Sequence, residues 1–161
     1  IVLFILLIKL YFEYNQTYMV IIFSQEIYRD EFECFLEKRF SSARFRFLDI
    51  ENETIYELYD KCCNAVWNKG CGDLPLVVIL KDSKPRLVFI GVPSETILSH
   101  AVGNMSKGPL LYFYGPDKVL MGFTCTACPP KEYLEYSELL SEKSVERLMK
   151  TLSVFMRQSR S

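Results

Sequence analysis

Several of the groups on which enzymes and nucleic-acid binders usually rely are scarce in this sequence. A single histidine, His100, is present, which leaves little for imidazole general-base catalysis or imidazole metal ligation. His100 falls in a helical stretch and reads as a solvent-edge or packed residue. No excess of one charge sign exists either: 19 basic residues stand against 20 acidic ones, interspersed along the chain. Without a basic stripe the counterion release that drives nucleic-acid binding has no source, so no nucleic-acid partner is expected. Neither a glycine-rich phosphate loop nor a Ser-His-Asp set is evident, and no cofactor is expected. Asp30, Glu31, Glu33 and Glu37 read as the solvated face of a helix rather than as a paired-carboxylate site. A long apolar run is missing as well. The first twelve residues, Ile1 to Phe12, are almost wholly apolar but are broken by Lys9, and they fall short of the roughly 20 residues that span a bilayer. Residues 1–12 therefore read as a buried strand or helix of the domain, or as part of a signal or anchor segment through which the protein associates with a membrane.

What is abundant is core-forming material. Half of the 161 residues are apolar and 14% are aromatic, enough for one well-packed domain plus an extension. Met19–Phe23 is a continuous apolar run of the kind that forms a buried strand. Over residues 26–40, Phe32, Phe35, Leu36 and Phe40 recur at helical spacing, and Arg44–Asp49 alternates as a strand. The pattern Thr54–Glu57 has the form of a capping box, and Ile55, Leu58, Tyr59, Cys62, Val66 and Trp67 continue one helical stripe. Leu76–Leu80 and Leu87–Ile90 flank a turn and predict a hairpin, after which Ser94 caps a helix bearing Ile97, Leu98, Ala101 and Val102. A second hairpin-like unit spans residues 109–123, and two helices, 130–140 and 144–158, close the chain. The later one carries Val145, Leu148, Met149, Leu152 and Met156 on one face. The second hairpin is either a partial internal repeat, with Pro109 matching Pro75, or a strand pair extending the first sheet.

From residue 19 to 105 the predicted order is strand, helix, strand, helix, strand, strand, helix. With Leu74-Pro75 before the third strand and Phe89-Ile90-Gly91 followed by Ser94, this resembles the thioredoxin-like fold over roughly residues 17–105. The resemblance implies an α/β protein with a mixed sheet flanked by helices and a cis-proline at Pro75. It divides the chain into an apolar segment (1–16), a thioredoxin-like domain (17–106) and a hairpin-helix extension (107–161). Where redox members of the family carry their cysteine pair, this chain has Ser24 to Asp30. In that respect it is similar to glutaredoxin-like domains and to the redox-inactive domains of protein disulfide isomerase-type proteins.

The chain does contain a Cys-x-x-Cys, Cys125 to Cys128, set between a strand-like run and a helix-like one. Such a pair favours thiol–disulfide exchange, with Cys125 as nucleophile and Cys128 as resolver. Pro129-Pro130 delays the helix start, which favours a structural disulfide instead. Cys62, Cys63 and Cys34 read as small buried core residues rather than metal ligands. Cys71, between two glycines and close to Pro75, is a candidate disulfide partner for Cys63 or for one of the distal cysteines. Three of the five asparagines, Asn15, Asn52 and Asn104, lie in Asn-x-Ser/Thr, which reads either as glycosylation or, for Asn52, as helix capping. Six cysteines and these sequons point to an oxidising, secretory or extracellular setting, with the cytoplasm as the alternative. Two functions stand: thiol–disulfide exchange in redox-linked protein folding, acting on protein substrates, or a non-catalytic module that binds protein partners through exposed aromatics such as Tyr112, Tyr114, Tyr133 and Tyr136.

Overall fold

The computed structural model describes residues 1–8, 18–40, 43–67, 71–82, 84–105, 109–115, 119–124, 131 and 137–160. Its centre is one seven-stranded mixed sheet in the order β2-β1-β3-β4-β5-β6-β7. The strands are β1 (Tyr18–Ser24), β2 (Arg44–Asp49), β3 (Leu76–Lys81), β4 (Lys84–Ile90), β5 (Leu110–Tyr114), β6 (Leu120–Phe123) and β7 (Glu138–Leu139). A crossover helix intervenes between β1 and β2, and another between β4 and β5. Both pairs are accordingly parallel, whereas β3–β4 and β5–β6 close as antiparallel hairpins. The second hairpin thus extends the first sheet rather than starting another. Its β5 pairs with β4 from Leu87↔Leu110 to Ile90↔Phe113.

Continuous apolar sequence goes with burial on both faces. In β1, Ile21 and Phe23 meet the layer formed by α3 (Glu53–Val66) and α5 (Glu142–Arg160). Val20 and Ile22 meet the layer formed by α2 (Arg29–Glu37) and α4 (Glu95–Gly103). The result is a three-layer sandwich whose apolar stripes, Tyr59, Cys62 and Val66 on α3 and Phe32 and Leu36 on α2, face the sheet. Gly91 ends β4 with φ +87°, in the left-handed region, and an added Cβ would strike the Tyr114 carbonyl. That close approach lets β5 lie against the end of β4.

Several expectations need correction. The helix expected over 26–40 is a 3-10 turn, Glu26–Tyr28, followed by α2, with Lys38 and Arg39 already in a turn. Asn52, not Thr54, caps α3: its side chain accepts from the Thr54 and Ile55 backbone N–H groups at 3.0 and 3.2 Å, which puts Thr54 inside the helix. Glu138–Leu139, expected in a helix, forms β7 beside β6; most of the rest of 130–140 lies outside the described residues. The apolar start of the chain is not buried in the domain. Residues 2–8 form a helix, α1, whose side chains are exposed from Val2 at 82% to Ile8 at 40%.

Candidate functional site

The carboxyl end of β1 delivers the chain to the rim of the sheet at Ser24, which is buried and whose carbonyl accepts from the Ile50 N–H at 3.1 Å. From there Gln25 leads into the 3-10 turn and α2. Opposite this turn runs the segment Cys71–Pro75, which enters β3. The loop after Gly91 forms a third wall. A cavity of about 350 Å³ lies between them, lined by Ser24, Tyr28, Glu31, Phe32, Phe35, Asp73, Leu74, Pro75 and Val92. Apolar walls with a few polar groups are the usual make-up of a binding cleft. The lip is apolar too, with Tyr28 and Val92 among the exposed large apolar residues.

The wall at Cys71–Pro75 is fixed from several sides. Cys71 is disulfide-bonded to Cys63 on α3, with Cα atoms 5.7 Å apart. The buried Tyr59 hydroxyl, also on α3, donates to the Leu74 carbonyl and lies 3.2 Å from the Gly72 carbonyl. Burial, helped by the nearby Asp73 charge, pushes the Tyr59 phenol well above its ordinary range, so it remains a donor. The Gly91 N–H donates to the Pro75 carbonyl at 2.8 Å, tying the segment to the end of β4. On the far side of the same segment a second hollow of about 500 Å³ is lined by Trp67, Cys71, Gly72, Asp73, Leu74, Phe113 and Met121, with Trp67 stacked on Phe113 at 4.7 Å.

Among the described residues, the charges lining the first cavity have one sign. Arg29, the nearest cation in sequence, is turned to Glu26 and Glu33, each at 3.3 Å, and its guanidinium sits 5.3 Å from the centre of the Phe47 ring. The hydrogen bonds to Glu26 and Glu33 hold its pKa above the ordinary arginine value. Glu31 and Asp73 are left as the charged lining residues among those described.

Compared with protein-family models, with curated proteins and with solved structures, the chain matches none. Its chemistry has to be read from its own residues.

Of the residues singled out from sequence, Pro75 lines the cavity and Cys71 anchors its wall. No peptide bond among the described residues is cis, so Leu74–Pro75 is trans, contrary to expectation. Cys125 and Cys128 lie outside the described residues, as do Asn15, Tyr133 and Tyr136. Cys62 is fully buried as expected, and burial pushes its thiol up to about 12. Cys34 is exposed, not buried: it follows Phe32 by two and so falls on the outer side of α2. Tyr112 and Tyr114 are core residues rather than exposed contacts, because their face of β5 packs in the core formed with α2 and α4. His100 is half-buried on α4. Among the described residues no group of three His, Cys, Asp or Glu side chains is placed to hold a metal ion. Sequence reading missed Tyr28, Phe32, Phe35, Asp73 and Val92 as cavity residues. The one signal available was their position, at the ends of elements that a β-α-β order brings to a common rim.

Proposed function

We propose that this protein is a non-catalytic, thioredoxin-like binding module that holds an apolar polypeptide segment of a protein partner in the cavity between Ser24, α2 and Pro75. The thioredoxin-like reading is supported by the strand order β2-β1-β3-β4, with β1 and β2 parallel and β3 antiparallel to both its neighbours. The binding reading rests on one observation above all: six of the nine lining residues described are apolar or aromatic, with Ser24 and no thiol where the family carries its nucleophile. The described disulfide, Cys63–Cys71, has both sulfurs buried, which suits a staple better than an exchanger.

A positional-scanning peptide array, read with the purified chain, tests this. Leu, Phe and other apolar residues should be enriched among the bound peptides, and Val92→Asn at the exposed lip should weaken binding about tenfold while Cys125→Ser leaves it unchanged. Loss of binding in Cys125→Ser with retention in Val92→Asn would return thiol–disulfide exchange at Cys125 and Cys128 to first place.

An oxidising, secretory setting is the compartment this reading favours, since a buried disulfide is compatible with it. Among the sequons Asn52 is exposed and available to carry a glycan. Asn104 is half-buried, and its side-chain amide donates to the His100 carbonyl at 2.7 Å. Membrane association belongs to the same proposal. Among the described residues no helix is long and apolar enough to cross a membrane. The α1 side chains are apolar around the whole circumference, a property that suits lipid better than a one-sided protein groove.

A further inference from the structure

The cavity at the end of β1 has more than apolar walls. Three aromatic side chains, Tyr28, Phe32 and Phe35, line it together with two carboxylates, Glu31 and Asp73, and no cation is among the lining residues described. An aromatic face attracts a cation through its ring quadrupole, and a nearby carboxylate adds a direct Coulomb term. A helix N-terminus would ordinarily draw an anion. Here Asp30 and Glu31 occupy the first turn of α2 and offset that field, so the amino end of the helix does not favour an acidic ligand. Arg29, at the start of α2, is paired with Glu26 and Glu33 and lies against the Phe47 ring rather than beside Glu31. Both Glu31 and Asp73 are exposed, so they meet a ligand at the mouth rather than in the depth of the cavity.

We infer that the cavity selects a polypeptide segment presenting a basic side chain, lysine or arginine, among apolar ones. The apolar neighbours lie on Leu74, Pro75 and Val92, and the alkyl stem of the basic residue runs past the aromatic rings to place its charge beside Glu31 and Asp73. The inference rests on the binding-module reading and adds the chemical class of its ligand. A volume of about 350 Å³ accommodates such a side chain with part of a neighbour.

Four fluorescein-labelled hexapeptides with the frame Leu-Phe-X-Phe-Leu-Ser, where X is arginine, lysine, norleucine or glutamate, distinguish the possibilities by fluorescence polarisation against the full chain. The arginine or lysine peptide should bind about tenfold more tightly than the norleucine peptide, with the glutamate peptide weakest. Added salt should shrink that margin. Glu31→Gln with Asp73→Asn, both at exposed positions and so expected to fold, should bring the basic and norleucine peptides to equal affinity. Equal binding of basic and norleucine peptides by the unaltered chain overturns this inference and leaves the binding module standing. Failure of all four peptides to bind overturns both.

Discussion

The two helical layers grip one sheet by different means. On one face, α3 is capped by Asn52 at its start and bonded through Cys63 to Cys71 near its end, and Tyr59 reaches across to the Leu74 carbonyl. Arg147 of α5 donates to the Ala65 carbonyl at 3.0 Å, tying the two helices of that layer together. On the other face α2 has no side-chain cap and ends after nine residues, and the turn that follows it is joined to α4 by an Arg39–Glu95 ion pair that is largely exposed. Exposed pairs of this kind contribute about 0–1 kcal/mol. The cavity opens between the layers, with a clamped wall on the α3 side and a lightly held one on the α2 side. One rim thus combines an edge held by a disulfide and a buried hydrogen bond with an edge held by apolar packing and an exposed ion pair.

The largest contrast is chemical. Cys34 on α2 is exposed, whereas Cys62 on α3 is buried and its thiol is raised from 9.0 to about 12. From thiolate fraction alone Cys62 should alkylate roughly a thousandfold more slowly than a thiol at the ordinary value. Peptide mapping after iodoacetamide treatment of the native protein should find Cys34 modified and Cys62 intact. Rapid modification of Cys62 would mean that the α3 layer opens readily, and the contrast between the layers would vanish.

Next in size is the disulfide. The double variant Cys63→Ser/Cys71→Ser should lose about 2–4 kcal/mol in urea unfolding. Cys34→Ser should change stability by less than about 0.5 kcal/mol, as exposed substitutions usually do. Peptide affinity should fall in the double variant, because Cys71–Pro75 loses its tie to α3. Unchanged affinity would locate the fixed wall in Tyr59 instead. Tyr59→Phe removes a buried donor to the Leu74 carbonyl and should cost about 1–2 kcal/mol by the same measurement.

The smallest effect at neutral pH concerns ionisation. Cys62 on the α3 side and Tyr112 on the α2 side are both pushed up to about 12 by burial. Each is neutral when folded and ionises first in the unfolded chain, from about 9 for the thiol and about 10 for the phenol. Between those values and 12 the unfolded state binds fewer protons, so stability present at lower pH is lost as pH rises. Urea midpoints measured from pH 8 to about 11 should decline. Replacing Cys62 by alanine should flatten the lower part of that decline, and Tyr112→Phe the upper part. A midpoint that stays level across this range would show that neither group is desolvated on folding.

Much of the fold was legible because its signals are local. The run Met19–Phe23, the alternation in Arg44–Asp49 and the stripe through Tyr59, Cys62 and Val66 each declare an element and the side it buries. What escaped was set by neighbours far away in sequence. Tyr112 and Tyr114 look like exposed contacts until the α2–α4 layer is seen to share a core with their face of β5. Cys34 sits next to Phe35 in sequence, yet the helical turn rotates it to solvent. Residues 1–8 are as apolar as β1, but no layer of the domain covers them. For the cavity, Pro75 was singled out as a cis-proline and Ser24 as the start of the loop lacking a cysteine pair, whereas Asp73 and Val92 enter from loops next to the Cys63–Cys71 bond and the Gly91 turn.

The sheet ends on one side in β7, a strand of two residues, and on the other in β2, where Arg44 and Arg46 lie on the outermost strand. Edge strands are where sheets of separate molecules join and fibrils begin. An incoming strand would gain little ladder from two residues at one end and would meet the Arg44 and Arg46 side chains at the other. Among the described strands, edges this short or this charged are ones from which an apolar-rich sheet propagates poorly.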